Sequence, residues 1–404
     1  MLKVKKYGGT SVADKDRIFY CAQKCAEEYR NGHDVIVVLS AMGKMTDELI
    51  AQAQTIHSDP SKREMDMLMT VGEQISTALF SMALETMMVP AISLNAFQAG
   101  MHATGVYGNA RLTEIDTERI EHELSERKVV IVTGFQAVSK YNDYVTLGRG
   151  GSDTTAVALA AVFHADECEI NTDVDGVYTA DPRIVPAARK LEEITYDEML
   201  DLATLGAGVL HNRSVEMAKK YGIKLIVRSS FNTVSGTVVR EKSKMEKTLI
   251  SGVAVDQNAD RITVSGMKNE PGSEFRLFRL LADHSVNVDL IIQSVTGEYT
   301  KDVSFTIKDE DLEQVLALLR ENRETVSYQD IRYNTELAKL SIVGAGMMSN
   351  PGVAAKLFEC LYNEGINIGM ITTSEIRITV MVKESEVVRA ANAVHERFHL
   401  GEDQ

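Results

Sequence analysis

The sequence predicts an α/β protein, in which a mostly parallel sheet lies between layers of helices and two small βαββαβ domains follow. Strand-like segments rich in Val and Ile alternate with helical segments through about the first 230 residues, and this alternation is typical of a parallel sheet with helices on both faces. A polar stretch at 240–247 then interrupts the pattern. Beyond it the chain repeats itself at a spacing of 80 residues, which indicates two copies of one small fold.

The elements of the first part are predicted from short apolar runs and from apolar residues spaced three or four positions apart. Strands are predicted at 2–7, 34–40, 91–95, 129–134, 167–172 and 224–228, and helices at 18–29, 70–87, 152–163, 197–205 and 215–221. Because a polar interruption of this kind is typical of a domain boundary, the first domain is predicted to span residues 1–245.

The two copies that follow share identical residues in register. Examples are Pro271 and Pro351, Leu277 and Leu357, Leu281 and Leu361, Asn287 and Asn367, and Ser294 and Ser374. The sequence of each copy predicts a strand, a Pro-Gly turn, an amphipathic helix, a strand hairpin and a second helix. The copies are assigned to residues 246–335 and 336–404.

The composition limits the partners. The chain has 43 Lys and Arg against 58 Asp and Glu, a formal net charge of −15, which repels nucleic acid and anionic membranes. The longest apolar runs are strand-sized, shorter than a membrane span requires, and the four scattered Cys predict no disulfide framework. We therefore expect a cytoplasmic protein without a nucleic-acid or membrane partner.

The first strand ends in a glycine turn at Gly8 and Gly9, with Lys6 before it and Thr10 and Ser11 after it. Two glycines at a strand end allow backbone N–H groups to approach an anion closely, and the lysine supplies a positive charge. The pattern indicates a phosphate cradle, although neither the Walker nor the Rossmann fingerprint is complete. A glycine turn with solvated lysines is the alternative.

A second glycine loop at 147–151 precedes an apolar helix. Ser152 or Asp153 is predicted as the N-cap of that helix, whose positive end favours an anion. Arg149 adds a planar fork that suits a carboxylate or a phosphate. A capped helix start without a ligand is the alternative.

Acidic groups occur at two further places. The polar segment 172–183 follows a strand and has the composition of a nucleotide loop, a metal loop or a solvated turn. Glu73 begins a helix, where a carboxylate complements the helix dipole or binds an ammonium group. No His or Cys pattern predicts a general base, and an acceptor carboxylate, with a pKa of about 3.9, needs none.

Together these motifs are similar to those of aspartate kinases over essentially the whole chain. The segments that carry the resemblance are 6–12, 71–73, 147–153, 172–183 and the two repeats. The resemblance implies an amino-acid-kinase fold followed by two ACT domains. It also implies transfer of the γ-phosphoryl group of ATP, with Mg²⁺, to the side-chain carboxylate of L-aspartate, giving 4-phospho-L-aspartate in the first step of lysine, threonine and methionine biosynthesis.

The resemblance further implies the residues of the site. The catalytic residues would be Lys6, Ser152 and Asp153, and those that bind ATP would be Lys6, Tyr7, Gly8, Gly9, Ser40, Thr172, Asp173, Tyr178, Asp181 and Arg183. Aspartate would be bound by Thr46, Glu73, Arg149, Gly150, Gly151 and Ser152. Glu73 suits the ammonium group of aspartate and Arg149 suits a carboxylate, while Asp153 would position Mg²⁺ or Lys6. No metal ligand from the protein is assigned.

In the repeats, the resemblance implies a site for a feedback amino acid, with lysine, threonine, both together or diaminopimelate left open. Its residues would be Asn287, Val288, Asp289, Gln293, Val353, Ala354, Asn367 and Ile368. Gly369 stands where the first copy has Asp289, so we do not expect equivalent sites. We expect at least a homodimer, formed through the ACT domains. The resemblance also leaves open a separate regulatory chain made from an internal start, for which Met245 is the candidate position.

Two other interpretations stay open. Another kinase of this fold, such as an acetylglutamate kinase, would share the glycine loops, although the repeats and Glu73 argue against it. A non-catalytic amino-acid sensor would keep the repeats beside a decayed kinase half, although every charged candidate residue is present.

Overall fold

The computed structural model describes residues 1–205, 209–241, 249–297 and 299–402. The described residues divide into two compact units. The first, the kinase unit, lies within Met1–Tyr178, Lys190–Thr204 and Gly208–Glu246, and the second, the repeat unit, lies within Thr179–Arg189, Leu205–Ala207 and Lys247–Gln404. Met245, the proposed internal start, lies outside the described residues.

The kinase unit is built on a large, mostly parallel sheet. The strands of the kinase unit are β1 (Leu2–Tyr7), β2 (Asp34–Leu39), β3 (Ala91–Leu94), β4 (Met101–Val106), β5 (Asn109–Ile115), β6 (Val129–Thr133), β7 (Gln136–Val138), β8 (Tyr144–Thr146), β9 (Glu167–Thr172), β10 (Glu193–Thr195), β11 (Leu225–Ser229) and β12 (Thr237–Arg240). Among the described residues, eight strands form this sheet in the order β10-β12-β11-β9-β1-β2-β6-β3. Within this sheet, among the described residues, only the pairing of β11 with β12 is antiparallel. This confirms the predicted fold class.

The kinase unit also contains helices, several of which pack against strands of this sheet. Its helices are α1 (Lys15–Arg30), α2 (Met45–Ile56), α3 (Lys62–Met69), α4 (Val71–Thr86), α5 (Glu118–Ser125), α6 (Gly151–Val162), α7 (Tyr196–Thr204) and α8 (Asn212–Tyr221). Apolar side chains of α1 and α4, such as Ile18 and Phe80, pack with β1, β2 and β6 into one core. Helix α6 is buried from its first residue to Ala161, because it carries almost no long polar side chain. The small sheet β5-β4-β7-β8 and helices α2, α3 and α5 lie outside the predicted set.

One helical run in the described part of the chain, Lys62–Thr86, is long and apolar enough to meet the length and composition criteria for a membrane span. Half of its most apolar stretch is buried inside the protein. The core helix of a soluble protein meets the same criteria, so the run is weak evidence for a membrane helix.

The repeat unit contains two four-stranded sheets among its described residues. Its strands are β13 (Gly252–Asp256), β14 (Asp260–Lys268), β15 (Ile291–Val295), β16 (Thr300–Ile307), β17 (Asp330–Asn334), β18 (Leu337–Val343), β19 (Met370–Thr373) and β20 (Arg377–Lys383). Its helices are α9 (Ser273–Asp283), α10 (Leu312–Glu321), α11 (Arg323–Val326), α12 (Val353–Asn363) and α13 (Glu384–Arg397). The repeated leucines Leu277 and Leu357 are fully buried, because they lie on the inner faces of α9 and α12.

The two copies obtain their fourth strand differently. In the first, with the order β15-β16-β14-β17, every strand comes from one continuous segment. In the second, β18, β20 and β19 are joined by β13, which precedes the first copy in the chain and pairs antiparallel with β18. The βαββαβ pattern therefore describes the first copy directly, whereas the second copy is completed by an upstream strand.

Residues 179–189, which include the end of the predicted nucleotide loop, pack with the second copy. The Thr179 carbonyl accepts a hydrogen bond of 2.7 Å from the Val253 backbone, and the Thr179 hydroxyl lies 2.9 Å from Nε2 of buried His395 on α13. Ala180 and Val185 belong to the apolar core of this copy.

Candidate active site

The predicted site residues of the kinase unit gather at one edge of the large sheet. Strands β1, β2, β6 and β9 run parallel, so their carboxyl ends meet at this edge, where ligands of open α/β sheets bind. Gly8, Ser40, Gly134 and Asp173 directly follow these four strands.

Lys6 and Asp153 form the charged centre of the site. The Lys6 Nζ lies 2.7 Å from Oδ1 of Asp153, and both side chains are less than one tenth exposed. A buried lysine needs a counter-charge, and Asp153 supplies it from the first turn of α6. The pair holds the ammonium group at the glycine turn, where an incoming anion would meet it.

The glycine turn after β1 is shaped by close backbone approaches. A Cβ atom at Gly9 would lie 2.8 Å from the carbonyl oxygen of Ala41, whereas one at Gly8 would lie 3.6 Å from Nζ of Lys6. Asn171, which the sequence analysis missed, fixes the turn. Its side chain donates to the Lys6 carbonyl at 3.2 Å, and its own carbonyl accepts from Gly8. Its place at the end of β9, next to the polar 172–183 segment, is the signal that could have revealed it.

The second glycine loop requires glycine at Gly150, where φ is +68° and a Cβ atom would lie 2.2 Å from Cβ of His211. Arg213, also missed, holds the loop by donating to the Leu147 carbonyl at 2.6 Å and the Ala110 carbonyl at 3.0 Å. His211 caps α8, and burial lowers its pKa, which fits a structural role.

The prediction that Ser152 or Asp153 caps α6 is wrong. Gly150 occupies the N-cap position, and no side chain there bonds to the helix. Ser152 instead accepts a hydrogen bond of 3.0 Å from the Ser40 hydroxyl, and Asp153 pairs with Lys6. Both side chains face the site because they lie one and two positions inside the helix.

Glu73 is buried beside the loop that follows β2. Its Oε1 accepts a hydrogen bond of 3.1 Å from the backbone of Ala41, and its Oε2 has no hydrogen-bond partner among the described residues. Burial raises the pKa of Glu73 to about 7, against smaller lowering by backbone hydrogen bonds. A cationic partner stabilises the charged form of a carboxylate that is buried in this way.

Two other residues predicted to bind aspartate, Arg149 and Thr46, are more exposed to solvent than Glu73. Arg149 is exposed, and the structure gives it no ion pair with any described residue. Thr46 is half-buried in the first turn of α2. Two of the aspartate candidates, Glu73 and Ser152, thus lie buried at the sheet edge, whereas these two lie nearer to solvent.

The predicted nucleotide residues divide between the two units. In the kinase unit, the Thr172 hydroxyl donates to Asp173 at 3.0 Å and the Tyr178 hydroxyl donates to Asp175 at 2.7 Å. In the repeat unit, Asp181 and Arg183 form an ion pair with each other. The side chain of Tyr7 is fully buried against Phe80 and Cys25, so only its backbone can face a ligand.

No group of three or more His, Cys, Asp or Glu side chains converges on a metal position in the described part of the chain. Nucleotide-bound Mg²⁺ is held mainly by phosphate oxygens and waters, with one or two carboxylates. The donor set at the sheet edge therefore fits a metal ion that arrives with the nucleotide.

Comparison with known proteins agrees with this geometry. The amino acid kinase family matches residues 1–229, and the ACT domain matches residues 262–322 and 340–398. An aspartokinase of Bacillus sp. (strain MGA3) is 52% identical over 400 residues, which cover 99% of this chain and 97% of the relative. The chain belongs to the aspartokinase family. It is therefore an enzyme, an aspartate kinase.

Two solved aspartokinase structures are similar throughout. Aspartokinase III of E. coli in complex with aspartate and ADP (R-state) has a TM-score of 0.84 at 27% identity, with 98% of this chain and 99% of that one covered. The same E. coli enzyme in complex with lysine and aspartate (T-state) has a TM-score of 0.76 at 27% identity and the same coverage. Both confirm an aspartokinase fold with C-terminal ACT domains.

Of the predicted effector residues of this aspartokinase, Asn287 and Asn367, and Val288 and Ile368, lie at corresponding places in the two ACT copies. Asn287, Gln293 and Asn367 are exposed, whereas Val288, Ala354 and Ile368 are partly buried against the cores and Val353 is buried. Asp289 is already paired, because its Oδ2 lies 2.5 Å from Nζ of Lys339 on β18. Lys339 also lies 3.2 Å from Asp256 on β13. In the second copy, the carbonyl of Gly369 accepts from Arg261 at 3.2 Å.

Proposed function

We propose that the enzyme transfers the γ-phosphoryl group of ATP to the side-chain carboxylate of L-aspartate, releasing ADP and 4-phospho-L-aspartate. The observation that carries this proposal is the buried Lys6–Asp153 ion pair beside the glycine turn. An ammonium group fixed at a backbone cradle is suited to charge that develops on a transferring phosphoryl group. The aspartate and ADP bound by the E. coli relative support the same substrates.

In this proposal, the nucleotide lies along the ends of β1 and β9. Gly8 and Gly9 offer backbone N–H groups to its phosphates and Lys6 offers a charge. Ser40, Thr172, Asp173, Tyr178, Asp181 and Arg183, with the backbone of Tyr7, are proposed to complete the nucleotide contacts. Mg²⁺, held chiefly by the phosphate oxygens, would neutralise phosphate charge when bound.

Aspartate is proposed to lie between α4 and the second glycine loop. Glu73 receives its ammonium group and Arg149 its carboxylate in a bidentate pair, while Thr46, Gly150, Gly151 and Ser152 orient the side chain. One side-chain carboxylate oxygen attacks the γ-phosphorus, and the bond from that phosphorus to the β,γ-bridging oxygen breaks. ADP leaves with the electron pair. No proton must be removed, so no general base is required.

Regulation is proposed to act through the ACT copies. An end-product amino acid, lysine and/or threonine, would bind at the strand-end loops that carry Asn287, Asp289 and Asn367. The lysine complex of the E. coli relative supports an amino-acid effector. Among the described residues, the edge strands β15 and β19 each have one unpaired side, which supports pairing of the copies between two chains. This enzyme would start lysine, threonine and methionine biosynthesis in the cytoplasm.

The experiment that tests the proposed reaction measures ADP release from Mg·ATP with L-aspartate or N-acetylglutamate as acceptor. We expect turnover with aspartate only. Turnover with N-acetylglutamate alone would contradict the assignment, and binding of aspartate without turnover would support a sensor instead.

A further inference from the structure

Two of the residues proposed to contact the nucleotide, Asp181 and Arg183, lie in a loop of the repeat unit. The loop spans Thr179–Arg189, and we call it the 179–189 arm. The backbone N–H of Thr179 donates to the carbonyl of Arg189 at 2.8 Å, and the N–H of Arg189 donates to the hydroxyl of Thr179 at 2.9 Å. The first and last residues of the arm therefore close it at its base.

Helix α13 of the second ACT copy contacts the arm at two points. At the base, the hydroxyl of Thr179 lies 2.9 Å from Nε2 of His395, which is 1% exposed. At the turn, the side-chain amide of Asn392 donates to the carbonyl of Ile184 at 2.9 Å. His395 and Asn392 are three positions apart, so they lie on one face of the helix. One helix face therefore fixes both the base and the turn of the arm.

The contact between His395 and Thr179 completes the hydrogen bonding of both side chains. The Thr179 hydroxyl oxygen accepts from the Arg189 backbone, so its own hydrogen is available to the imidazole. Burial lowers the pKa of His395, and a neutral ring accepts this hydrogen at Nε2. Because a polar group left unpaired in the interior is costly, each residue holds the other in place.

Apolar residues of the arm anchor its backbone on both sides of the charged pair. Ala180 and Val185 are buried in the apolar core of the second copy. Between them, the side chain of Arg183 is 89% exposed and pairs with the partly exposed Asp181. The backbone N–H of Arg183 also donates to the Asp181 carboxylate at 2.8 Å. The arm thus presents a charged pair at the surface from an anchored backbone.

We propose that His395 is a positioning residue for the nucleotide, because through Thr179 it fixes the arm that presents Asp181 and Arg183 to Mg·ATP. This inference rests on the proposed function, in which these two residues contact the nucleotide. A ligand that meets an ordered loop does not have to offset the entropy that ordering the loop would cost. In this role the second ACT copy supports nucleotide binding even when no effector amino acid is present.

Binding of Mg·ADP to the full-length protein, measured by isothermal titration calorimetry, tests this role without aspartate. His395→Leu removes the hydrogen-bonding ring and should raise the Kd for ADP about fivefold or more. His395→Gln returns an amide that can bond to the Thr179 hydroxyl, so its Kd should stay within about twofold of the wild-type value. An unchanged Kd in His395→Leu, or an equal loss of affinity in both variants, would overturn the proposal.

A control variant separates positioning from a general loss of stability. Ser341 and Thr379 share a buried hydrogen bond of 2.8 Å in the same ACT copy. Ser341 alternates along β18 with Leu340 and Ile342 of the apolar core, so it lies on the opposite face of the sheet from that core. Ser341→Ala should lower the thermal midpoint, as His395→Leu does, but leave the Kd for ADP within about twofold. Equal weakening of ADP binding by the two variants would contradict the proposal.

Steady-state kinetics separate this inference from the proposed reaction. His395→Leu should raise the KM for ATP about fivefold or more, while the KM for aspartate and kcat stay within about threefold. An equal rise in both KM values would contradict the positioning role. If the wild type did not phosphorylate aspartate, the proposed function would fail, whereas the comparison of ADP binding would still decide the role of His395.

Discussion

The enzyme contains two pairs of Lys and Asp in which the lysine is buried, and the two pairs differ in their surroundings. In the kinase unit, Lys6 lies 2.7 Å from Asp153. In the repeat unit, Lys339 lies 2.5 Å from Asp289. Both lysines are less than one tenth exposed, and a buried ion pair by itself is weak evidence for stability or for function.

The surroundings distinguish the two pairs. Among the described residues, Lys6 has one acid partner, and its ammonium lies close to Gly8, where no side chain blocks an anion. Lys339 has a second acid, Asp256, directly across the strand pair β13–β18, so its charge is more than balanced. In the proposed reaction, the first pair receives a further anion, whereas the second joins a loop of one ACT copy to a strand of the other.

The largest expected effect tests this difference directly. Lys6→Ala should lower kcat at least about a hundredfold, because it removes a preorganised charge from the proposed phosphate site. Lys339→Ala, the same change at the other pair, should leave kcat within about threefold while lowering the thermal midpoint, because Asp289 and Asp256 then lack their cation. A near-normal kcat for Lys6→Ala would contradict the role of the first pair.

The second prediction concerns the unpartnered oxygen of Glu73. Glu73→Gln keeps the shape but removes the charge, so the KM for aspartate should rise about tenfold or more, which is about 1.4 kcal/mol, while the KM for ATP changes little. Glu85→Gln, at the exposed end of the same helix, is the matched control. If neither KM responds to Glu73→Gln, the residue only complements the start of α4.

A third prediction follows from the pKa of Glu73, which burial raises to about 7. Below pH 7 the carboxyl group is protonated and binds the ammonium of aspartate weakly, so kcat/KM for aspartate should rise up to about pH 7 and then level off. Stability should change in the opposite sense. Because the raised pKa favours the protonated folded state, the contribution of Glu73 is lost as pH rises from about 4.5 through 7. Glu73→Gln should remove both dependences, and a profile shared by variant and wild type would exclude Glu73 as their cause.

The smallest expected effect concerns Asp289. Asp289→Ala should raise the lysine or threonine concentration for half-inhibition about three- to tenfold without changing uninhibited kcat. Lys339→Met separates two explanations. An equal loss of inhibition in both variants would mean that Asp289 acts by holding Lys339, whereas a loss in Asp289→Ala alone would mean direct contact with the effector. Identical inhibition curves for wild type and both variants would exclude the site.

The sequence predicted the central strands well, because β1, β2, β6 and β9 are short apolar runs that end in Gly, Ser or polar loops. It did not predict the partners of the site residues. The pairing of Lys6 with Asp153 and the support of the cradle by Asn171 depend on which strands become neighbours in the sheet. Likewise, the sequence of β13 is typical of a strand, but no local feature indicates that it pairs with β18 rather than with the first copy. Strand pairing depends on contacts that are distant in the sequence.

The most direct test of the central claim identifies the carboxyl group that is phosphorylated. The acyl phosphate formed from Mg·ATP and L-aspartate is trapped with hydroxylamine, and the two isomeric aspartyl hydroxamates are separated by chromatography. The proposed reaction predicts the side-chain (β) hydroxamate, formed in step with ADP and lost in Lys6→Ala. The α-hydroxamate, or ADP release without any hydroxamate, would contradict phosphoryl transfer to the side chain of aspartate.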